Sequence, residues 1–101
     1  MKYEIVFHPE ATQEYIDAYK WYEERQAGLG ERFISSVDGA IDEIMAHPSH
    51  SRAETADYRV KVVKTFPYII LYEVMEKDKQ LYIEAIYHAK RDPKNKFRRT
   101  K

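Results

Sequence analysis

Cations, tyrosines and a histidine are gathered in the stretch from Tyr58 to Pro93. Arg59, Lys61 and Lys64 come in close succession, Tyr68, Tyr72, Tyr82 and Tyr87 follow, and His88 is trailed by Lys90 and Arg91. Cations neutralise phosphate, tyrosine rings stack on bases, and a histidine moves a proton near neutral pH. When RNA is cleaved, the 2′-hydroxyl attacks the adjacent phosphate and Arg or Lys steadies the charge that develops on the phosphoryl oxygens. On that chemistry His88 and Arg91 are the candidate catalytic residues of a nuclease. Arg59, Lys61, Lys64, Tyr68, Tyr72, Lys90, Arg98 and Arg99 are candidate contacts to nucleic acid or to another target. Plain structural roles stand beside these. Cations on a strand protect a sheet face or edge from aggregation. Most of the nine tyrosines must be structural, and a histidine at a strand end is commonly just a hydrogen-bonded residue.

Other chemistries have little support. His47 and His50 are three apart, but no cysteine, H-x-x-x-H or H-E-x-x-H accompanies them, so no metal site is expected. Gly28-x-Gly30 lacks the Gly-Lys-Ser/Thr of a phosphate-cradling loop. No Gly-x-Ser-x-Gly elbow exists, and Ser35-Ser36 falls within a helical pattern. Asp38, Asp42 and Glu43 lie beside an apolar helical stripe. Paired acids do acid–base work only where burial splits their pKa values; on an exposed helix they are solvated charge. No cofactor is expected.

The elements that must position these residues are legible from periodicity. Residues 3–8 alternate weakly and contain β-branched and aromatic side chains, a short first strand. Pro9 suits the first position of a helix, with Glu10 in its first turn. Ala11, Tyr15, Ala18 and Tyr22 then recur on one helical face, widened by Ile16 and Tyr19. Gly28-Leu29-Gly30 makes a tight connection. Leu29, Phe33, Val37, Ala40, Ile41 and Ile44 form a second stripe, stopped by Pro48. Two such helices joined by so short a turn should pack as an antiparallel hairpin. Residues 47–57 have no apolar period and are expected to be loop.

Three strands follow, from about Tyr58 to Lys64, Tyr68 to Glu76 and Leu81 to His88. The first carries Tyr58, Val60 and Val62 on one face and Arg59, Lys61 and Val63 on the other. The Thr65-Phe66-Pro67 turn cannot donate to a ladder at Pro67. Connections this short exclude parallel crossovers, so the three form an antiparallel meander. The expected fold class is α+β, a two-layer β-α-α-β-β-β arrangement with a helical hairpin on a small antiparallel sheet.

The chain has 101 residues, enough for one domain, 1–101, ending in a basic tail from about residue 89. Its absence of cysteine suits a reducing cytoplasm. No apolar run reaches the ~20 residues that span a bilayer, and Glu4 and His8 interrupt any signal-peptide core. Seventeen basic residues balance seventeen acidic ones, but unevenly. From His88 onward, seven cations face Asp92 alone, leaving the first 87 residues with a net charge of −6. A basic arm on an acidic body suggests an anionic partner for that end.

Read in order, five pieces resemble the RelE/ParE superfamily of bacterial toxins from type II toxin–antitoxin modules, the plasmid-stabilisation proteins. They are Pro9-Glu10-Ala11; Trp21-Tyr22-Glu23-Glu24 with Gly28-Leu29-Gly30-Glu31-Arg32-Phe33; His47-Pro48; Tyr58-Arg59 through Phe66-Pro67-Tyr68 to Tyr72; and His88-Ala89-Lys90-Arg91-Asp92-Pro93. They span nearly the whole chain. The resemblance implies a small cytoplasmic toxin that inhibits growth and is held inactive by a cognate antitoxin. The helix pair, with Trp21 on its outer side, would offer that antitoxin part of its surface. RelE-like members cleave mRNA in the ribosomal A site, whereas ParE-like members poison DNA gyrase without cutting nucleic acid. Arg59 and Lys61 match the family's basic strand positions. His88 and Arg91 match the end of the last strand, where RNA-cleaving relatives keep a His or Arg. Ribosome-dependent nucleases are strongly basic because they bind rRNA and mRNA electrostatically; this chain is neutral with an acidic body. The ParE-like alternative is therefore favoured, with the nuclease second and a non-toxic member that only sequesters antitoxin third.

Overall fold

The computed structural model describes residues 3–49, 52–53 and 57–90. The elements are β1 (Glu4–Phe7), α1 (Pro9–Arg25), α2 (Leu29–Ala46), β2 (Arg52–Ala53), β3 (Arg59–Val62), β4 (Tyr68–Met75) and β5 (Gln80–His88). The expected β-α-α-β-β-β order holds. The two-residue β2 is an addition, in the stretch expected to be loop. It pairs antiparallel with Arg59 and Val60 of β3, so a neighbouring strand imposes the extended backbone that no local pattern signals.

α1 begins as its sequence dictates. Pro9 needs no N–H in the first turn, and His8 caps it, its Nδ1 accepting the Glu10 N–H at 3.0 Å. The start of α2 is held from outside. Gly28 has a φ of 88° and no side-chain cap of its own. The two carboxylate oxygens of Glu23, reaching over from α1, accept the N–H groups of Gly28 and Gly30 at 2.9 Å each. An anion on the unpaired N–H groups and positive dipole of a helix start is stabilising. Gly30 is buried because α1 passes directly over it: a Cβ there would lie 2.8 Å from the Tyr19 ring and carbonyl oxygen.

The strand order is β1-β5-β4-β3-β2. β3, β4 and β5 form the expected antiparallel meander. The sheet as a whole is mixed, because β1, which precedes the helical hairpin, lies parallel to β5 at the edge, pairing Glu4 through Phe7 with Gln80 through Ile83. That pairing ends where Pro9 opens α1; the last bond is His8 N–H to the Ile83 carbonyl at 2.9 Å. The register between β4 and β5 jumps from Leu71–Ala85 to Tyr72–Ile83, so Glu84 is the extra residue of a bulge. The bulge keeps Leu81, Ile83 and Ile86 on the face that packs against the helices despite their uneven spacing.

That face carries the main core. Phe33 of α2 is its hub, with ring centroids 5.3 Å from Tyr22, 5.4 Å from Phe66 and 5.1 Å from Tyr68. Tilted and edge-on aromatic contacts of this kind add to the burial of each ring, and here they tie the Phe66-Pro67-Tyr68 turn to both helices. The turn is tight: the Tyr68 N–H donates to the Phe66 carbonyl at 2.8 Å around Pro67, whose ring presets φ. The opposite face of the sheet has its own smaller cluster of Val60, Leu71, Ala85 and Tyr87.

Candidate functional site

The structure divides the sequence-predicted residues into two groups and a remainder. The first group lies where β3 meets α2. Arg59 and Lys61 share a face, as alternation required, and it is the face turned to the helices, since their partners Tyr72 and Ile70 belong to the main core. Lys61 Nζ lies 2.6 Å from Glu43 Oε1 of α2, and Lys64 Nζ lies 3.8 Å from Glu43 Oε2. The hydrogen bond from Lys61, then its charge and that of Lys64, hold the Glu43 carboxyl below its ordinary pKa, so it is ionised at neutral pH. The carboxylate treated as solvated charge is thus the partner of two predicted phosphate contacts. Nothing local signals this, because Glu43 flanks the apolar stripe of α2 like any surface acid. Arg59 is half-buried beside them.

The second group lies at the end of β5. His88 is opposite Tyr68, the rings edge-on with centroids 5.5 Å apart. Its Nδ1 accepts the Lys90 N–H at 3.2 Å. With Nδ1 accepting, the neutral ring carries its proton on Nε2. Tyr68 is half-buried, and burial first, then the proximity of Tyr22 and Glu14, raises its pKa. Beside these rings a groove of about 630 Å³ runs between α1 and β5, lined by Glu14, Asp17, Trp21, Tyr22, Tyr68 and His88 among others. Two carboxylates therefore face the space next to the candidate catalytic histidine. Glu14 falls at a step of three from Ala11, within the apolar stripe of α1. That position was the one signal that its side chain turns inward, and its Oε1 accepts the Ile86 N–H at 2.9 Å.

The two groups do not converge. Lys61 and Ile86 lie two strand spacings apart across β4, roughly 10 Å. Lys61 turns to α2, and His88 stands on the α1 side. Tyr72 is 0 % exposed and gives its hydroxyl to the Pro48 carbonyl at 2.7 Å, which makes it a core residue that anchors the end of α2. Lys90 is exposed at the end of the sheet. Arg91, Arg98 and Arg99 lie outside the described residues. Trp21 is 50 % exposed with the Arg25 guanidinium 3.6 Å above its ring. Of the other acids on α2, Asp38 accepts the Tyr15 hydroxyl at 3.1 Å. Burial, then Asp38, raises the Tyr15 pKa. Among the described residues no group of three or more His, Asp or Glu is arranged to hold a metal, and no helix is long and apolar enough to cross a membrane.

This geometry has close counterparts among solved structures. A chain of the chromosomal ParDE TA system from P. aeruginosa superimposes with a TM-score of 0.71 at 14 % identity, over 88 % of this chain and 98 % of that one. The isolated E. coli RelE toxin matches with a TM-score of 0.63 at 15 % identity, over 97 % and 96 %. The RelE–RelB complex of Pyrococcus horikoshii OT3 contains a chain matching at 0.55 and 17 %, over 91 % and 100 %. At such identities the likeness is one of fold, the RelE/ParE fold. No curated protein is similar enough in sequence to match. The sequence model of the ParE toxin of the parDE type II toxin–antitoxin system matches residues 5–93. The chain belongs to the ParE toxin family of type II toxin–antitoxin systems.

Proposed function

We propose that this ParE-family toxin inhibits growth by binding a protein target, DNA gyrase, and is neutralised in the cytoplasm by a cognate antitoxin. The observation that supports binding over RNA cleavage is the pairing of cations with carboxylates. Glu43 occupies Lys61 and draws on Lys64, while Glu14 and Asp17 flank the groove beside His88. A phosphate approaching either group meets negative charge already in place, and its gain from the cations is reduced accordingly. Complexes such as the archaeal RelE–RelB and E. coli RelE with a RelBc peptide support an antitoxin partner here by analogy of fold. In this reading Tyr68, Lys64, Lys90 and the basic run beyond it contact the target.

Expression without antitoxin, followed by supercoiling and mRNA-integrity assays, tests the proposal. Loss of gyrase supercoiling with intact mRNA is the expected result. Rapid mRNA cleavage that disappears in His88→Ala would overturn it in favour of a nuclease. Normal growth at full soluble expression would overturn it in favour of a member that only sequesters antitoxin.

A further inference from the structure

The sheet has an unfinished edge. β1 pairs with β5 only as far as Ile83, and Pro9 then lifts the chain into α1. Beyond it, from Glu84 to His88, the outer edge of β5 pairs with no strand among the described residues. The Ile86 N–H points to this side, as its bond to Glu14 requires, and Ala89, three residues on, donates inward to the Pro67 carbonyl. Alternation therefore turns the Ile86 carbonyl and both backbone groups of His88 outward as well. Exposed strand edges are templates for pairing unless they are guarded. Among the described residues, the Glu14 carboxylate guards this edge at the Ile86 N–H.

We propose that this edge, with the groove between it and α1, takes an extended basic segment of a partner protein as an added strand, lying end to end with β1. Backbone pairing would come from Ile86 and His88. Side chains on the inner face of the segment would enter the groove, where Trp21 and Tyr22 supply an apolar wall and Asp17 and Glu14 supply negative charge. Main-chain bonds give such strand addition its affinity, and the pockets for alternate side chains give its specificity. The carboxylates select a segment in which Lys or Arg alternates with apolar residues. The same charges argue against a second copy of this chain, since edge-to-edge pairing would bring two sets of Glu14 and Asp17 together. As the strand docks, Glu14 exchanges the Ile86 N–H for a cation of the segment. This inference holds whichever target the toxin acts on.

The test uses the full chain and capped octapeptides of alternating valine and arginine, or valine and glutamate. Binding is followed by the fluorescence of Trp21, the chain's one tryptophan. The valine–arginine peptide should bind saturably and the valine–glutamate peptide should not. N-methylation of alternate residues should weaken the basic peptide about tenfold or more, because it removes strand hydrogen bonds. Asp17→Lys should weaken it about fivefold or more and admit the acidic peptide, whereas Asp42→Lys, the same charge change on α2, should do neither. The proposal is overturned if no peptide binds, if the N-methylated peptide binds as well as its parent, or if Asp17→Lys and Asp42→Lys act alike.

Discussion

Two glycines of α2 should respond to alanine in opposite directions, and the contrast tests how the helical hairpin is built. Gly39 is exposed in the middle of α2, and a Cβ there meets nothing within 4 Å. Replacing it with alanine removes the backbone-entropy cost of a mid-helix glycine, a gain of ~0.5–1 kcal/mol. For a domain of this size that raises Tm by roughly 2–8 °C. Gly30 has the same propensity to gain but not the room. Its Cβ would lie 2.8 Å from Tyr19 Cδ1 and Cε1, and 2.8 Å from the Tyr19 carbonyl oxygen. The ring can swing aside; the carbonyl cannot retreat unless α1 moves off α2. Overpacking of that kind costs ~1–3 kcal/mol, which exceeds the propensity gain, so Gly30→Ala should lower Tm by several degrees. Urea unfolding followed by far-ultraviolet circular dichroism, with unchanged m-values, measures both. A Gly30→Ala protein as stable as the parent would refute the close approach of the helices. A destabilised Gly39→Ala would refute the open space at that position.

Three further outcomes are expected. Glu23→Ala should cost ~1.5–3 kcal/mol in the same unfolding assay, because it leaves the Gly28 and Gly30 N–H groups without their charged acceptor. An effect below a few tenths would mean that water replaces the carboxylate at no cost. Tyr72→Phe should cost ~1 kcal/mol through the lost bond to the Pro48 carbonyl, and native-state hydrogen exchange should rise at the end of α2 rather than uniformly. Glu43 has a folded-state pKa below its ordinary 4.5, so its pairing contributes stability above that pH, and the contribution is lost as pH falls through the folded value. Glu43→Gln should therefore be less stable than the parent at pH 7, with the gap narrowing as the pH falls through the lowered folded-state pKa of Glu43; a gap of constant size would refute the ion pair.

The element order was legible because each piece of it is local. Stripes at steps of three and four, the Pro9 start, the Pro48 stop and the Gly28-Leu29-Gly30 connection need no knowledge of what packs where. β1's place was not legible, since a strand followed by two helices can return to either edge of the sheet, and no residue in 3–8 encodes which. The faces of β3 were half legible. Alternation separated Tyr58, Val60 and Val62 from Arg59, Lys61 and Val63 correctly. The more apolar set should have faced the helices, yet the set with two cations does, and Val62 is left 65 % exposed. The reason is that both faces of this sheet carry an apolar cluster, so hydrophobicity does not choose between them.

The same limit accounts for what was hidden at the candidate site. Arg59, Lys61 and Lys64 were chosen by residue type, and type says nothing about whether a charge is already answered. The answer for Lys61 comes from α2, across the long segment that separates the second helix from the third strand. The answer for the edge of β5 comes from Glu14, 72 positions away in sequence from Ile86. A cation beside a carboxylate and a cation facing solvent are identical in sequence but opposite in what they offer a phosphate. The electrostatic sign of a surface is thus a tertiary property even when each charge is read correctly. The acidic balance of the first 87 residues carries the same information in aggregate: with a net of −6 over a small body, its cations are outnumbered by carboxylates.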